Sequence, residues 1–333
     1  MSLSSSDKPL FRPQAGRLMD QVREVLRYHH YALRTEESYV KWILSYIRFH
    51  GRKHPKDMGK PEIEAFLSDL AVNKNCSVST QNQALNAIVF LYKKVLDIPV
   101  AEDLAPIRSK RPPRLPVVMS QNEVTQVLSY MSGSTGLMAR VMYGGGLRLM
   151  EVMRLRIQDL DFDNGLIMVR DGKGRKDRAT LLAKSLHEPL KEQLDKARGY
   201  FDIDLANGDA NVFLPNALAK KYPNAGKTWN WQYVFPSSQL SEDPRSHIIR
   251  RHHLNDSNVQ KALRKAVDKT GLTKRITTHT LRNSFATHLL ESGTNIRVVQ
   301  KLLGHADVKT TEIYTHVLQQ NIGAVASPLD GLN

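Results

Sequence analysis

Nine residues, Arg108-Ser-Lys-Arg-Pro-Pro-Arg-Leu-Pro116, limit what the whole chain can become. Each proline fixes its own φ, lacks an N–H and pushes its predecessor toward extended backbone, so neither a helix nor a central strand can run through the stretch. The 333-residue chain is thereby divided into two parts, each long enough to bury its own core. The reading is a first domain over residues 1–107, a basic linker over 108–118 and a second domain over 119–333. Arg108, Lys110, Arg111 and Arg114 put four cations on a stiff strand. Such a strand serves either as an inert spacer or as a segment laid along a polyanionic duplex.

A formal net charge of +15 asks for an anionic partner. Nucleic acid is the first candidate, a membrane surface or a ribosome the second. No apolar run approaches the ~18 residues of a transmembrane helix, and MSLSSSDKPL has no signal-peptide core. Cys76 is the single cysteine, which excludes an internal disulfide and a cysteine-rich zinc site. A soluble intracellular protein with no membrane partner is expected.

The first domain reads as four amphipathic helices joined by short connections, a small bundle. Leu18, Val22, Val25 and Leu26 mark a helix over Arg17–His30. Thr35 caps a second, with Glu36 and Glu37 in its first turn. Pro61-Glu62 opens a third, and a fourth starts near Thr80. Arg23, Arg27, Lys41, Arg48, Lys93 and Lys94 decorate the outer faces, as a solvated surface or as phosphate contacts.

The second domain opens with the capping box Ser120-Gln-Asn-Glu123. After Gly144-Gly145-Gly146 a helix is expected over Leu147–Leu155. Three short strands follow around the Asn164-Gly165 and Asp171-Gly172 turns, then a long helix from Ser185 to about Leu205. Residues 207–253 read as irregular, and helices resume from Asp256 to the end. The fold class is mainly α with one small antiparallel β-sheet.

Near the C-terminus, His279 and Arg282 lie three apart, on one helix face. His305 follows Gly304, a helix stop, and Tyr314 sits in a further helical run. Upstream, Arg148 and Glu151 share a helix face, and Lys173 occupies a turn between strands. These residue types match the needs of phosphodiester transfer, in which positioning and electrostatics do most of the catalysis. Arginine grips two non-bridging oxygens at once, histidine donates or relays protons near neutrality, and lysine acts as a general acid once cations lower its pKa. A tyrosine nucleophile needs cationic neighbours, because its phenol ordinarily ionises near pH ~10. Taken singly, each has an ordinary structural explanation: a surface ion pair, a turn, a capped helix, a half-buried ring. Ala286–Leu303 also looks like a helix-turn-helix, which needs no chemistry.

In order and spelling, Gly-Leu-Arg148-Leu-Met-Glu151, Gly-Lys173-Gly, His279-Thr-Leu-Arg282, Leu-Leu-Gly-His305 and Ile-Tyr314-Thr-His resemble the tyrosine recombinase (phage integrase) family. The resemblance covers the second domain, and the helical first domain is similar to that family's core-binding domain. It implies two domains closing as a C-shaped clamp on DNA. It also implies a tyrosine recombinase catalytic fold with Tyr314 as nucleophile, forming a 3′-phosphotyrosyl intermediate. Arg148, Arg282, His279 and His305 would stabilise the transition state, Lys173 would protonate the 5′ leaving oxygen and Glu151 would support the site. No cofactor and no metal would be needed. The family usually reads His-x-x-Arg-His, whereas here Asn283 follows Arg282.

Residues 207–253 resemble the additional segment of integron integrases, through Leu214–Pro223 with Lys220 and Lys221, Trp229, Trp231, and Arg250-Arg251-His252-His253. The resemblance implies binding of folded single-stranded recombination sites as well as duplex DNA. Exposed aromatics and cations stack unpaired bases, while two tryptophans can equally fill a small core beneath a loop. The helical tail after Tyr314 would dock on a neighbouring protomer and build a homotetramer on two DNA sites, in the cytoplasm of a bacterium at its nucleoid. Two other readings stay open: a non-catalytic helix-turn-helix regulator, and a metal-dependent nuclease using the histidines and Asp307.

Overall fold

The computed structural model describes residues 13–14, 16–100, 103–109, 116–170, 177–214 and 218–315. Lys110, Arg111, Lys173 and the tail after Thr315 lie outside the described residues. The chain folds as two compact units, Met1–Arg114 and Leu115–Asn333.

The first unit is a helical bundle of α1 (Leu18–Tyr28), α2 (Leu33–Phe49), α3 (Lys60–Val72) and α4 (Val78–Phe90), the last continuing as a π-helical stretch through Leu96. The helix starts differ from expectation. α2 begins at Leu33, because the Ala32 carbonyl already accepts from Thr35 and Glu36. Thr35 is therefore inside the helix, and Glu36 is buried where Arg27 grips its two oxygens at 2.9 and 3.2 Å. α4 is capped by Ser77, whose hydroxyl accepts from Thr80 N, and so starts at Val78, two residues before the expected start. Val25, Leu26, Ile43, Ile63, Leu67, Ala87 and Ile88 form the buried faces. The buried Tyr46 and Tyr92 hydroxyls satisfy each other at 3.0 Å.

The second unit begins with α5 (Gln121–Ser129), α6 (Gly133–Gly145) and the short α7 (Leu149–Met153). β1 (Leu160–Asp161), β2 (Leu166–Val169) and β3 (Arg178–Leu181) form an antiparallel sheet in that order, and α8 (His187–Ala206) follows. Next come α9 (Leu218–Lys221), then β4 (Pro236–Glu242) paired antiparallel with β5 (Ile249–His253). α10 (Asp256–Thr270), α11 (Thr278–Glu291), α12 (Ile296–Leu303) and α13 (Lys309–Glu312) complete the described chain. α6 packs against both α10 and α11, and α12 lies against β3. Met138, Val141, Met142, Val152, Ile167, Leu190 and Leu281 form the centre of the core.

Three expectations are corrected here. The fold holds a second antiparallel pair, β4–β5, so His252 and His253 lie on a strand instead of an irregular loop. The helix carrying Glu151 starts at Leu149, with Arg148 as its extended N-cap residue. Tyr314 follows α13 in a turn, its N–H bonded to Thr311 O, and is not inside a longer helix.

Candidate active site

Two backbone features bring the distant motifs of the second unit together. α6 ends at Gly146 in the left-handed region, φ +64°, and a Cβ there would lie 2.4 Å from the Phe285 ring of α11. The chain can therefore turn under α11, and the Gly146 carbonyl accepts from Arg282 Nη1 at 2.5 Å. α12 ends the same way at Gly304, φ +65°, where a Cβ would sit 2.7 Å from Arg178 Cδ. That close approach lets Arg178 pass beneath the turn leading to His305.

Glu151 is the hub. Its carboxylate accepts from the Arg148 N–H at 2.8 Å and Arg148 Nη1 at 2.7 Å, and from Arg178 Nη1 and Nη2 at 3.0 and 2.7 Å. Arg282 Nη1 stands 3.7 Å away. Burial alone would raise the pKa of this carboxyl, but Arg178 and Arg148 hold it at about 2. The Arg148–Glu151 contact is thus a helix-capping arrangement inside the protein, not an exposed surface pair.

Arg282 is 3% exposed and also donates to Leu303 O at 2.5 Å. Burial, then repulsion from Arg148, pulls its pKa down to about 9 against the attraction of Glu151. The guanidinium stays charged at neutral pH. His305 places Nε2 3.3 Å from Arg282 Nη2, and its Nδ1 lies 2.9 Å from Thr311 Oγ1. Its ring stacks on Tyr314 with centroids 6.4 Å apart. His279 lies at the surface, its pKa lowered by partial desolvation and by Arg282 and Arg148.

Tyr314 is 4% exposed and its hydroxyl donates to Asn283 Oδ1 at 3.1 Å. Burial raises its pKa, outweighing the opposite pull of Arg282 and Arg148. The fold thus assembles Arg148, Glu151, His279, Arg282, His305 and Tyr314 from segments more than 160 residues apart. Arg178 is a member that sequence reading missed. Its signal was period two, since Arg178, Thr180 and Leu182 alternate toward the interior, and Thr180 and Leu182 are buried. Thr311, which orients His305, carried no such signal.

The other described sequence candidates belong to residues 207–253. Trp229 and Trp231 occupy a 3-10 turn and are half-buried. Trp229 packs on Phe201 of α8 and under the Arg198 guanidinium, with centroid distances of 5.6 and 5.1 Å. His252 stacks on Tyr233 at 5.7 Å and meets His253 at 4.8 Å. Burial and its neighbours bring the His252 pKa down to about 4, and His253 is lowered too, so both rings are neutral at pH 7. Lys220 and Lys221 are exposed on α9. Among the described residues no group of three or more His, Cys, Asp or Glu is placed to hold a metal ion, and no helix is long and apolar enough to cross a membrane.

Comparison with known proteins matches this architecture. Residues 117–321 fit the phage integrase family, and residues 18–102 fit the phage integrase N-terminal SAM-like domain. An "Integrase/recombinase" of Escherichia coli is 49% identical over 332 residues, covering 99% of this chain and 98% of the relative. "Tyrosine recombinase XerA" of Thermococcus kodakarensis is 32% identical, over 86% of each chain. Among solved structures, the XerH site-specific recombinase bound to difH substrate matches with a TM-score of 0.57 at 19% identity, over 94% of this chain and 86% of that one. A lambda integrase tetramer bound to a Holliday junction matches with 0.57 at 16%, over 89% and 76%. At these identities the structural likeness establishes the fold. Together with the family match and the full-length relatives, it shows that the chain belongs to the phage integrase (tyrosine recombinase) family.

Proposed function

We propose that the chain is a site-specific DNA recombinase that cuts and rejoins strands through Tyr314. The observation that carries this is charge. Among the described residues, three guanidinium groups, Arg148, Arg178 and Arg282, surround one carboxylate, Glu151, beside the tyrosine. The surplus positive charge suits a phosphodiester bound between Arg148 and Arg282. Tyr314 Oη would form the bond to phosphorus while the bond to the 5′ oxygen breaks. His279 and His305 would donate to the non-bridging oxygens or relay the phenol proton. Lys173 would protonate the departing 5′ oxygen. The phosphotyrosyl bond keeps the energy for religation, so no cofactor and no metal are invoked.

The first unit and the basic linker 108–118, with Lys110 and Arg111, would grip the duplex. The finer reading is an integron integrase that integrates and excises gene cassettes on folded single-stranded sites, a Xer-type recombinase being the alternative. Its support is residues 207–253, which carry Trp229, Trp231, Lys220 and Lys221 and place His252 and His253 on β5. The tail after Tyr314 would join protomers into a tetramer.

Trapping on nicked suicide duplexes tests the chemistry. The wild type should form a covalent protein–DNA adduct that survives a chelator, and Tyr314→Phe should form none. An adduct with Tyr314→Phe would sink the assignment. For the finer reading, Trp229→Ala and Trp231→Ala should impair folded single-strand sites more than duplex sites. Equal loss on both would favour the Xer-type reading.

A further inference from the structure

The contact between Tyr314 and Asn283 has a built-in direction. Asn283 lies between two partners: Nδ2 donates to Val117 O at 3.3 Å, and Oδ1 accepts from Tyr314 Oη at 3.1 Å. A backbone carbonyl can only accept, so the amide nitrogen must face Val117. Turning the amide over would set two oxygens against each other. Oδ1 therefore faces the phenol, and an acceptor there requires the phenol to supply the proton.

Val117 itself is held in place. Met119 N donates to Ser284 Oγ at 3.0 Å, and Met119 O lies 2.9 Å from His288 Nε2. His288 Nδ1 in turn meets Tyr143 Oη at 2.9 Å. The segment entering the second unit is thus pinned along α11 by Asn283, Ser284 and His288, three side chains of one helix. The pinned carbonyl dictates the amide's orientation, and the amide dictates where the tyrosine proton sits.

We infer that Asn283 is a positioning residue that holds Tyr314 protonated and at rest, and that this hydrogen bond must break before the phenol can attack. The inference rests on the recombinase reading above for what Tyr314 attacks, but not for the contact itself. Among the described residues, the charged and titratable groups facing the phenol are Arg282 on α11, Arg148 before α7 and His305 after α12. The two arginines favour a phenolate. The amide oxygen opposes them, and it is no base at neutral pH. Incoming phosphate, drawn by the same arginines, would displace the phenol from Asn283 toward the cations. An imidazole at this position, as the family usually has, can turn an N–H toward a phenolate. The amide cannot do so without abandoning Val117.

The decisive experiment titrates Tyr314 by NMR in protein carrying 13C at the tyrosine Cζ, with Tyr314→Phe assigning the signal. Asn283→His should lower the titration midpoint by about one unit, because a donor replaces an acceptor. Asn283→Leu, with neither donor nor acceptor, should shift the Cζ signal of the neutral phenol at pH 7. A midpoint in Asn283→His within about 0.3 of the wild type, or an unmoved signal in Asn283→Leu, overturns the inference. A second reading uses a pool of nicked duplexes with randomised arms. At saturating DNA, Asn283→Leu should form adduct about 2- to 10-fold faster than the wild type, with half-saturation unchanged, because one net hydrogen bond no longer has to break. Slower adduct formation at unchanged half-saturation also overturns it. The titration needs no DNA, so a chain that forms no adduct would defeat the recombinase reading while leaving the titration to decide this one.

Discussion

The second unit buries arginines in two places, and it treats them oppositely. At residues 207–253, Arg251 meets Asp204 through two hydrogen bonds, of 2.5 and 2.6 Å, and spends Nη1 on Ser237 O at 2.7 Å. The exposed Arg170 takes the buried Asp159, and the buried Arg156 lies 3.7 Å over the Tyr233 ring while donating to Trp231 O and Phe213 O. Arg251 and Arg170 there each have a carboxylate of their own. Around Glu151, three guanidiniums share one carboxylate. Structural ion pairs satisfy their charges inside the protein, whereas an unbalanced cluster keeps room for an anion from outside. The second arrangement costs stability in the free protein.

Removing the carboxylate on each side should produce the largest effects. Glu151→Gln and Asp204→Asn should each cost about 3–5 kcal/mol in chemical denaturation, because each strands buried positive charge. They should part in concentrated sulfate. The Arg148 side chain is 24% exposed, so sulfate can reach the Glu151 site and restore part of its loss. The Arg251–Asp204 pair is 9% and 4% exposed, and sulfate should restore nothing there. Equal rescue of both variants would break the distinction.

Acid should have the next largest effect. Glu151 titrates at about 2 in the folded chain against an ordinary 4.5. Its folded pKa is depressed, so its stabilisation is fully present above pH 4.5 and is lost as pH falls toward 2, on the order of 3 kcal/mol in all. The stability gap between wild type and Glu151→Gln should therefore narrow steadily below about pH 4. A gap that is constant with pH would show that Glu151 is not held by the arginines.

The same contrast explains what the sequence revealed. The helices of the first unit, the hairpin at Asn164-Gly165 and the stops at Gly146 and Gly304 were legible, because local backbone chemistry sets them. Helix starts slipped by about two residues where a backbone carbonyl, such as that of Ala32, began the helix before the side-chain cap. The β4–β5 pair was hidden, because Pro236–Glu242 is polar, lies mostly toward solvent and shows no alternation of apolar residues. Arg148, Arg282, His305 and Tyr314 were legible as a motif. Their convergence was not, since Arg178 reaches Glu151 from another strand and Thr311 is chosen only by the turn after α12. The motif also placed Asn283 as a departure from pattern, but only the structure shows that its amide joins Val117 to Tyr314.

The smallest expected effect is the most direct measure of surplus charge. With inorganic sulfate at about ten times its dissociation constant, linkage should stabilise the wild type by about 1.4 kcal/mol, raising Tm by about 3–6 °C. Arg148→Ala should remove this gain at little cost to folding, because its guanidinium is the most exposed of the three. Arg170→Met, which takes a cation from a matched pair with Asp159, should keep the gain even though its baseline Tm is lower. If sulfate raised Tm equally in both variants, the anion would be acting on general surface charge. An increment confined to proteins that retain Arg148 would place the unbalanced charge at Glu151, beside the tyrosine.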